Sequence, residues 1–173
     1  MPQPVGGLRK RLIRESLYQM LYESLALLGW FNGGRQHEPI TFNSEPVNPE
    51  DSTPINTIAL ADENDIISEI ELGSNFAEHT WTFYVDFFAE RDSLGLHVSG
   101  DIQDILEGRI NSIGRIDPIF SVYDISQATP PLLFTCQIDT VMRDKAVTWS
   151  KPHQKHWYSV RFDVLDHYGN ETF

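Results

Sequence analysis

Six histidines, one cysteine and 25 carboxylates are the side chains of this 173-residue chain with which chemistry could be done. His153 and His156 stand three apart, with His167 further on, a grouping that raises the question of a metal site. The pair straddles the entry to a strand, where positions i and i+3 face opposite ways, and no cysteine lies near in sequence. Asp163 and Asp166 have the same spacing in the same strand, so they make a poor carboxylate pair of the glycosidase kind. Cys136 has no internal disulfide partner and sits in the apolar run LLFTCQIDTVM, where it reads as a buried, reduced thiol. A reducing cytoplasm is the folding compartment this implies. No GxSxG occurs, and Gly6-Gly7, Gly33-Gly34 and Gly95-x4-Gly100 match neither the phosphate loop nor the dinucleotide fingerprint. The acidic turn from Asp62 to Asp65 lacks the ligand spacing of a calcium loop. The residues give no positive sign of catalysis, bound metal or cofactor.

The elements that would position any site are plainer. EHTWTFYVDFFAE alternates with period two: Trp81, Phe83, Val85 and Phe87 share one face, and Thr80, Thr82, Tyr84 and Asp86 the other. The period then becomes helical. Asp92-Ser93 offers an N-cap, Leu94, Val98, Ile102, Ile105 and Leu106 make a stripe, and Gly108 stands at the C-terminus. An earlier helix is predicted over 8–28, with Ile13, Leu17, Leu21, Leu25 and Leu28 as its apolar face and Gly29 as its stop. Between them lie a long proline-dotted loop over about 35–54, with a short edge strand at 40–43, and strands over 55–61 and 66–72. Further strands are predicted over 119–125, 132–142 and 156–166. Residues 1–7 are expected to be flexible. The order indicates a single α+β domain over 1–173, with a mostly antiparallel sheet and both helices on one face.

Charge is distributed unevenly. Residues 1–35 carry five basic side chains (Arg9, Lys10, Arg11, Arg14, Arg35) against two acidic ones, and residues 36–108 carry sixteen acidic ones against Arg91 alone. A net charge of −12 repels phosphates, so ordinary nucleic-acid binding is not expected. The basic cluster at the front reads as a solvated helix terminus. No apolar run reaches the ~18–20 residues of a membrane span. The first thirty residues set basic side chains before an apolar stretch, as a signal peptide would. Glu15, Gln19 and Glu23 interrupt it, and no small-residue cleavage site follows, so a helix is the reading.

The succession of helix (8–28), long loop, strand pair, TWTFYVDFFAE strand, LHVSGDIQDILEG helix and closing antiparallel strands resembles the tail terminator proteins of long-tailed bacteriophages, the family of the lambda tail terminator. The resemblance is one of pattern over most of the chain, and no single residue carries it. It implies a small α+β protomer that assembles as a six-subunit ring at the head-proximal end of the tail tube. There the ring stops tube growth and joins tail to head. The implied partners are other copies of the chain, the tail tube protein and the head–tail connector or neck proteins. DNA passes through without specific binding, no membrane is involved, and no cofactor is needed. The implied location is the virion neck, with the host cytoplasm during assembly. Another neck, head-completion or tail-completion protein is the nearest alternative. A small cytoplasmic enzyme or ligand-binding domain is the alternative from another class. In a ring around DNA, Asp62, Glu63, Asp65, Glu69 and Glu71 are the candidate channel-lining residues, because repeated negative charge would let the duplex slide.

Overall fold

Trp81, Phe83, Val85 and Phe87 are all buried, and the strand that carries them is the spine of the sheet. The computed structural model describes residues 7–32, 39–46, 56–62, 66–69, 77–109, 119–146 and 156–168. Its elements are α1 (Gly7–Leu27), β1 (Thr41–Asn43), β2 (Thr57–Asp62), β3 (Ile66–Glu69), β4 (Ala77–Phe88), α2 (Asp92–Leu106), β5 (Ile119–Tyr123), β6 (Leu132–Ala146) and β7 (Trp157–Tyr168). The strands form one sheet in the order β1-β2-β4-β7-β6-β5, and β3 pairs with the part of β4 that β2 leaves open. The architecture is α+β, with both helices packed on the sheet. β1 and β2 run parallel while every other pair is antiparallel, so the sheet is mixed rather than purely antiparallel.

β4 and β7 pair along their whole length, from Ala77 opposite Tyr168 to Phe88 opposite Trp157. Direct partners on the inner face are apolar: Trp81 with Val164, Phe83 with Phe162, Val85 with Val160. The rings of Phe83 and Phe162 stack at 5.8 Å between centroids. α2 covers this face with Leu94, Val98, Ile102, Ile105 and Leu106, all buried in the same core. Gly95 permits the close approach, since a Cβ there would run into the ring of Tyr158. Gly108, at φ 78°, takes the left-handed conformation that ends the helix.

The other end of α2 differs from expectation. Arg91 is the N-cap, with no side-chain capping bond, and Asp92 is the first helical residue. Its carboxylate is held by β6 and β7 instead. α1 presents Ile13, Leu17, Leu21 and Leu25 to the core, begins at Gly7 and ends before Gly29, at φ 84°. The flexible N-terminus expected over 1–7 therefore loses Gly7 to the helix, and residues 1–6 lie outside the described residues.

The long loop over 35–54 is interrupted by β1, where Ile40 and Phe42 are buried. Tyr18 donates to the Phe42 carbonyl at 3.0 Å, and the Arg14 guanidinium to the Ser44 carbonyl at 2.6 Å. These residues are held by contacts within the protomer. Positions 33–38 and 47–55 lie outside the described residues. β6 continues past Met142 to Ala146 through a bulge between Asp139 and Met142, where Thr140 adopts φ 52°.

Because Phe83 is fully buried between β7 and α2, Phe83→Ala should cost about 3–5 kcal/mol through loss of transfer energy and the cavity left behind. Urea denaturation of the two proteins measures it; a loss below ~1 kcal/mol would contradict the packing described.

Candidate functional site

α1 carries most of the polar chemistry of the molecule. Arg9 and Asp166 form a bidentate ion pair, with the Arg9 Nη2 2.6 Å from Asp166 Oδ1, and the two side chains are 1% and 0% exposed. The guanidinium lies 3.7 Å from the centroid of Phe134. Asp166 stands opposite His79, which stacks on Trp81 at 3.6 Å. Desolvating two charges is tolerated here because both guanidinium edges used and both carboxylate oxygens are matched. On the adjacent flank, Asp62 receives Lys10 at 2.7 Å and Arg14 at 3.2 Å. Arg14 also donates to the Leu60 carbonyl at 2.9 Å. Arg11 pairs with Glu15 at 3.2 Å. Of the basic cluster read in the sequence, Arg9, Lys10, Arg11 and Arg14 are thus engaged within the fold, and Arg35 lies outside the described residues.

Two hydroxyls of α1 reach the two end strands of the sheet. Ser16 accepts from the Tyr123 backbone N–H at 3.0 Å and donates to its carbonyl at 3.4 Å, which occupies the outward edge of β5. Tyr18 does the same for the Phe42 carbonyl of β1. Burial raises the Tyr18 phenol, with a smaller contribution from Tyr22, so it remains a donor. The helix thus holds one residue of β5 and one carbonyl of β1.

A second cluster forms where α2 meets the β6–β7 pair. Asp92 accepts hydrogen bonds from the Tyr158 hydroxyl and from Lys145 Nζ, the latter at 2.6 Å, and His156 Nδ1 lies 3.8 Å away. The bond from Lys145 and then that from Tyr158 lower the Asp92 carboxyl. The bond to Asp92 raises Lys145. Burial first, and then the bond to Asp92, raises Tyr158. Each shift moves the group's pKa further from neutral pH: a weaker base, a firmer ammonium and a phenol that keeps its proton. The geometry makes a clamp between helix and sheet.

On the outer face of the sheet, Asp86 accepts from the Trp157 indole at 3.1 Å, and Thr82 donates to Asp163 at 2.8 Å. Burial raises Asp86, with bonds from Ser159 and Trp157 opposing the shift.

Of the sequence-derived channel residues, Asp62 and Glu69 lie among the described residues. Asp62 ends β2 and is matched by Lys10 and Arg14, so it is not an uncommitted carboxylate. Glu69 ends β3 opposite Ala77. Glu63, Asp65 and Glu71 lie outside the described residues, as does His153 of the histidine grouping. Among the described residues no group of three metal-ligating side chains is brought together. Sequence reading missed the Asp92 clamp because Asp92 sits where an N-cap is expected, and it missed Arg9–Asp166 because those residues are 157 apart. No protein-family model and no curated protein matches the chain.

Replacing Arg9 by Met leaves the Asp166 carboxylate buried without its main cation and should cost about 3–5 kcal/mol. Arg9→Met with Asp166→Leu should recover most of that loss, and a double-mutant cycle by urea denaturation checks it. Equal losses in the single and double variants would show that the pair itself is not the source.

Asp92 has a depressed folded pKa, so its contribution is present above the usual carboxylate value of about 3.9 and is lost as pH falls through the lower folded value. Thermal melts should therefore show Asp92→Asn less stable than wild type at neutral pH. The gap should close as pH falls below that range. A constant gap across the series would mean that the carboxylate's charge is not involved.

Proposed function

We propose that this chain is a structural protein of a tailed-phage virion, a tail terminator that forms a ring at the head-proximal end of the tail tube, stops tube growth and joins tail to head. The observation that carries the reading is the order of elements. An amino-terminal helix, a connection with a short strand, the pair β2 and β3, the aromatic β4, α2 and antiparallel closing strands follow one another, the order the resemblance implies. The electrostatics support it. The described cations of the amino-terminal cluster are neutralised inside the protomer, while the chain as a whole carries −12. A ring of such protomers would repel the duplex passing through it and would not hold it by the phosphates. The partners in this reading are other copies of the chain, the tube protein and the connector.

Electron microscopy of the purified protein and of the virion neck tests the proposal. Rings of the chain capping the tube at its head end are expected. Its absence from the neck would overturn the reading. The channel proposal retains Glu63, Asp65, Glu69 and Glu71, since Asp62 already has its cations. Virions carrying Asp65→Lys, Glu69→Lys and Glu71→Lys should assemble but eject DNA more slowly. The slowing should be greatest at low salt, because screening sets in beyond about 8 Å at physiological ionic strength. Ejection at the wild-type rate would remove these residues from the channel wall.

A further inference from the structure

His79 is a titratable side chain buried beside the Arg9–Asp166 pair, 3% exposed on the inner face of β4. Its direct partner across β7 is Asp166, and across β3 it is Ile67. Side chains directly opposite in an antiparallel pair stand about 4.5–5.5 Å apart at Cβ, so imidazole and carboxylate share one layer closed to water. The other neighbour of the imidazole is Trp81, over whose ring Lys10 Nζ lies at 5.6 Å from the centroid. Among the described residues, the charged groups around this layer are Arg9, Lys10 and Arg14 of α1, Asp166 of β7 and Asp62 of β2. Glu45 touches Arg14 farther out, at the surface. β6 adds Phe134, under the Arg9 guanidinium, and the buried Cys136 thiol.

We propose that His79 is an acid-operated latch on α1: neutral, it leaves Arg9 docked on Asp166, and protonated, it drives Arg9 and the first turns of the helix off the sheet. The local charge count is the reason. An imidazolium here would be a fourth cation beside Arg9, Lys10 and Arg14, and both oxygens of Asp166 are already given to Arg9. A buried cation without its own anion is costly. The end of α1 is the part that yields. Arg9, Lys10 and Arg11 crowd the positive end of its dipole, and its first turn has no acidic residue to offset them. His79 and Asp166, by contrast, lie in strands paired along their whole length. A docked helix keeps the imidazole neutral, whereas a lifted one lets it take a proton from water at the ordinary histidine value of about 6.5. Docking is therefore complete above that value and weakens as pH falls below it. The latch lies within one protomer and needs no second chain.

Amide exchange of the full chain, followed by NMR from about pH 7.5 to about pH 5.5, tests the latch; Asp92, whose carboxyl is held below about 3.9, does not titrate in that interval. The first amides bonded within α1 are those of Arg11 to Arg14, since each N–H reaches the carbonyl four residues back. Their protection, corrected for intrinsic exchange, should fall about tenfold over the interval, the effect of one proton taken up below about 6.5. Protection from Leu17 to Leu25 should fall by less. In His79→Phe, which keeps a ring against Trp81 and cannot become charged, the protection of Arg11 to Arg14 should stay constant. Constant protection in wild type, or an equal loss in His79→Phe, would overturn the proposal. If His79→Phe fails to fold, His79→Gln replaces it. The His79 ring-proton resonance of the wild type gives a second reading, and it should shift in step with the loss of protection. An imidazole that becomes charged while Arg11 to Arg14 stay protected would equally overturn the latch.

Discussion

A guanidinium and a carboxylate with no access to water can coexist in a protein only when each satisfies the other, and the Arg9–Asp166 pair imposes that condition on the whole amino-terminal helix. With Arg9 fixed over Phe134 and against β7, the rotation of α1 about its axis is set. The remaining contacts then follow from helical geometry. Lys10 and Arg14, four apart, reach Asp62 together. Ser16 falls toward β5 and Tyr18 toward β1, while Ile13, Leu17, Leu21 and Leu25 are driven into the core. An apolar stripe alone would tolerate some rotation or sliding. The ion pair supplies directionality where the hydrophobic effect has none.

The same helix manages a hazard of open sheets. Strands at the two ends of a sheet expose unpaired amides and carbonyls, which recruit other chains indiscriminately. Here the outward groups at Tyr123 and Phe42 are met by hydroxyls of one helix.

What the sequence made legible was what depends on local periodicity. The β4 faces, the α2 stripe, the turn at Gly108 and the α+β class follow from spacings of two and of three to four residues, which are visible in any short window. The parallel pairing of β1 with β2 was not legible, because the alignment of Thr41 with Thr57 is a tertiary choice. Asp92 was misread for a related reason: an aspartate before a helical stripe suits an N-cap, and only the arrival of Lys145 and Tyr158 from distant strands diverts it. Asp62 appeared in sequence as part of an acidic turn, and its cations come from α1, far away in the chain. The ring contacts that join Tyr18 and Tyr22 of α1 to Phe31 and Phe42 have no sequence signature at all.

The bulge at Thr140 acts as a change of reading frame within one strand. Ahead of it, the even-numbered side chains Phe134, Cys136 and Ile138 face the core. Past it, the odd-numbered positions lie on that side of the sheet, though exposed, with Arg143 opposite Val160 and Lys145 opposite Tyr158. A single inserted residue thereby lets β6 speak to two different layers. Its first half packs as an ordinary apolar strand, and its second half lays two cations against α2, at the Leu96 carbonyl and at Asp92. Were the strand to run through Thr140 in regular register, without a bulge, the inward places would go to Met142 and Asp144, and the amino-terminal end of α2 would meet a thioether and a second carboxylate. The unfavourable backbone angle of one threonine is what keeps the sign of that junction attractive.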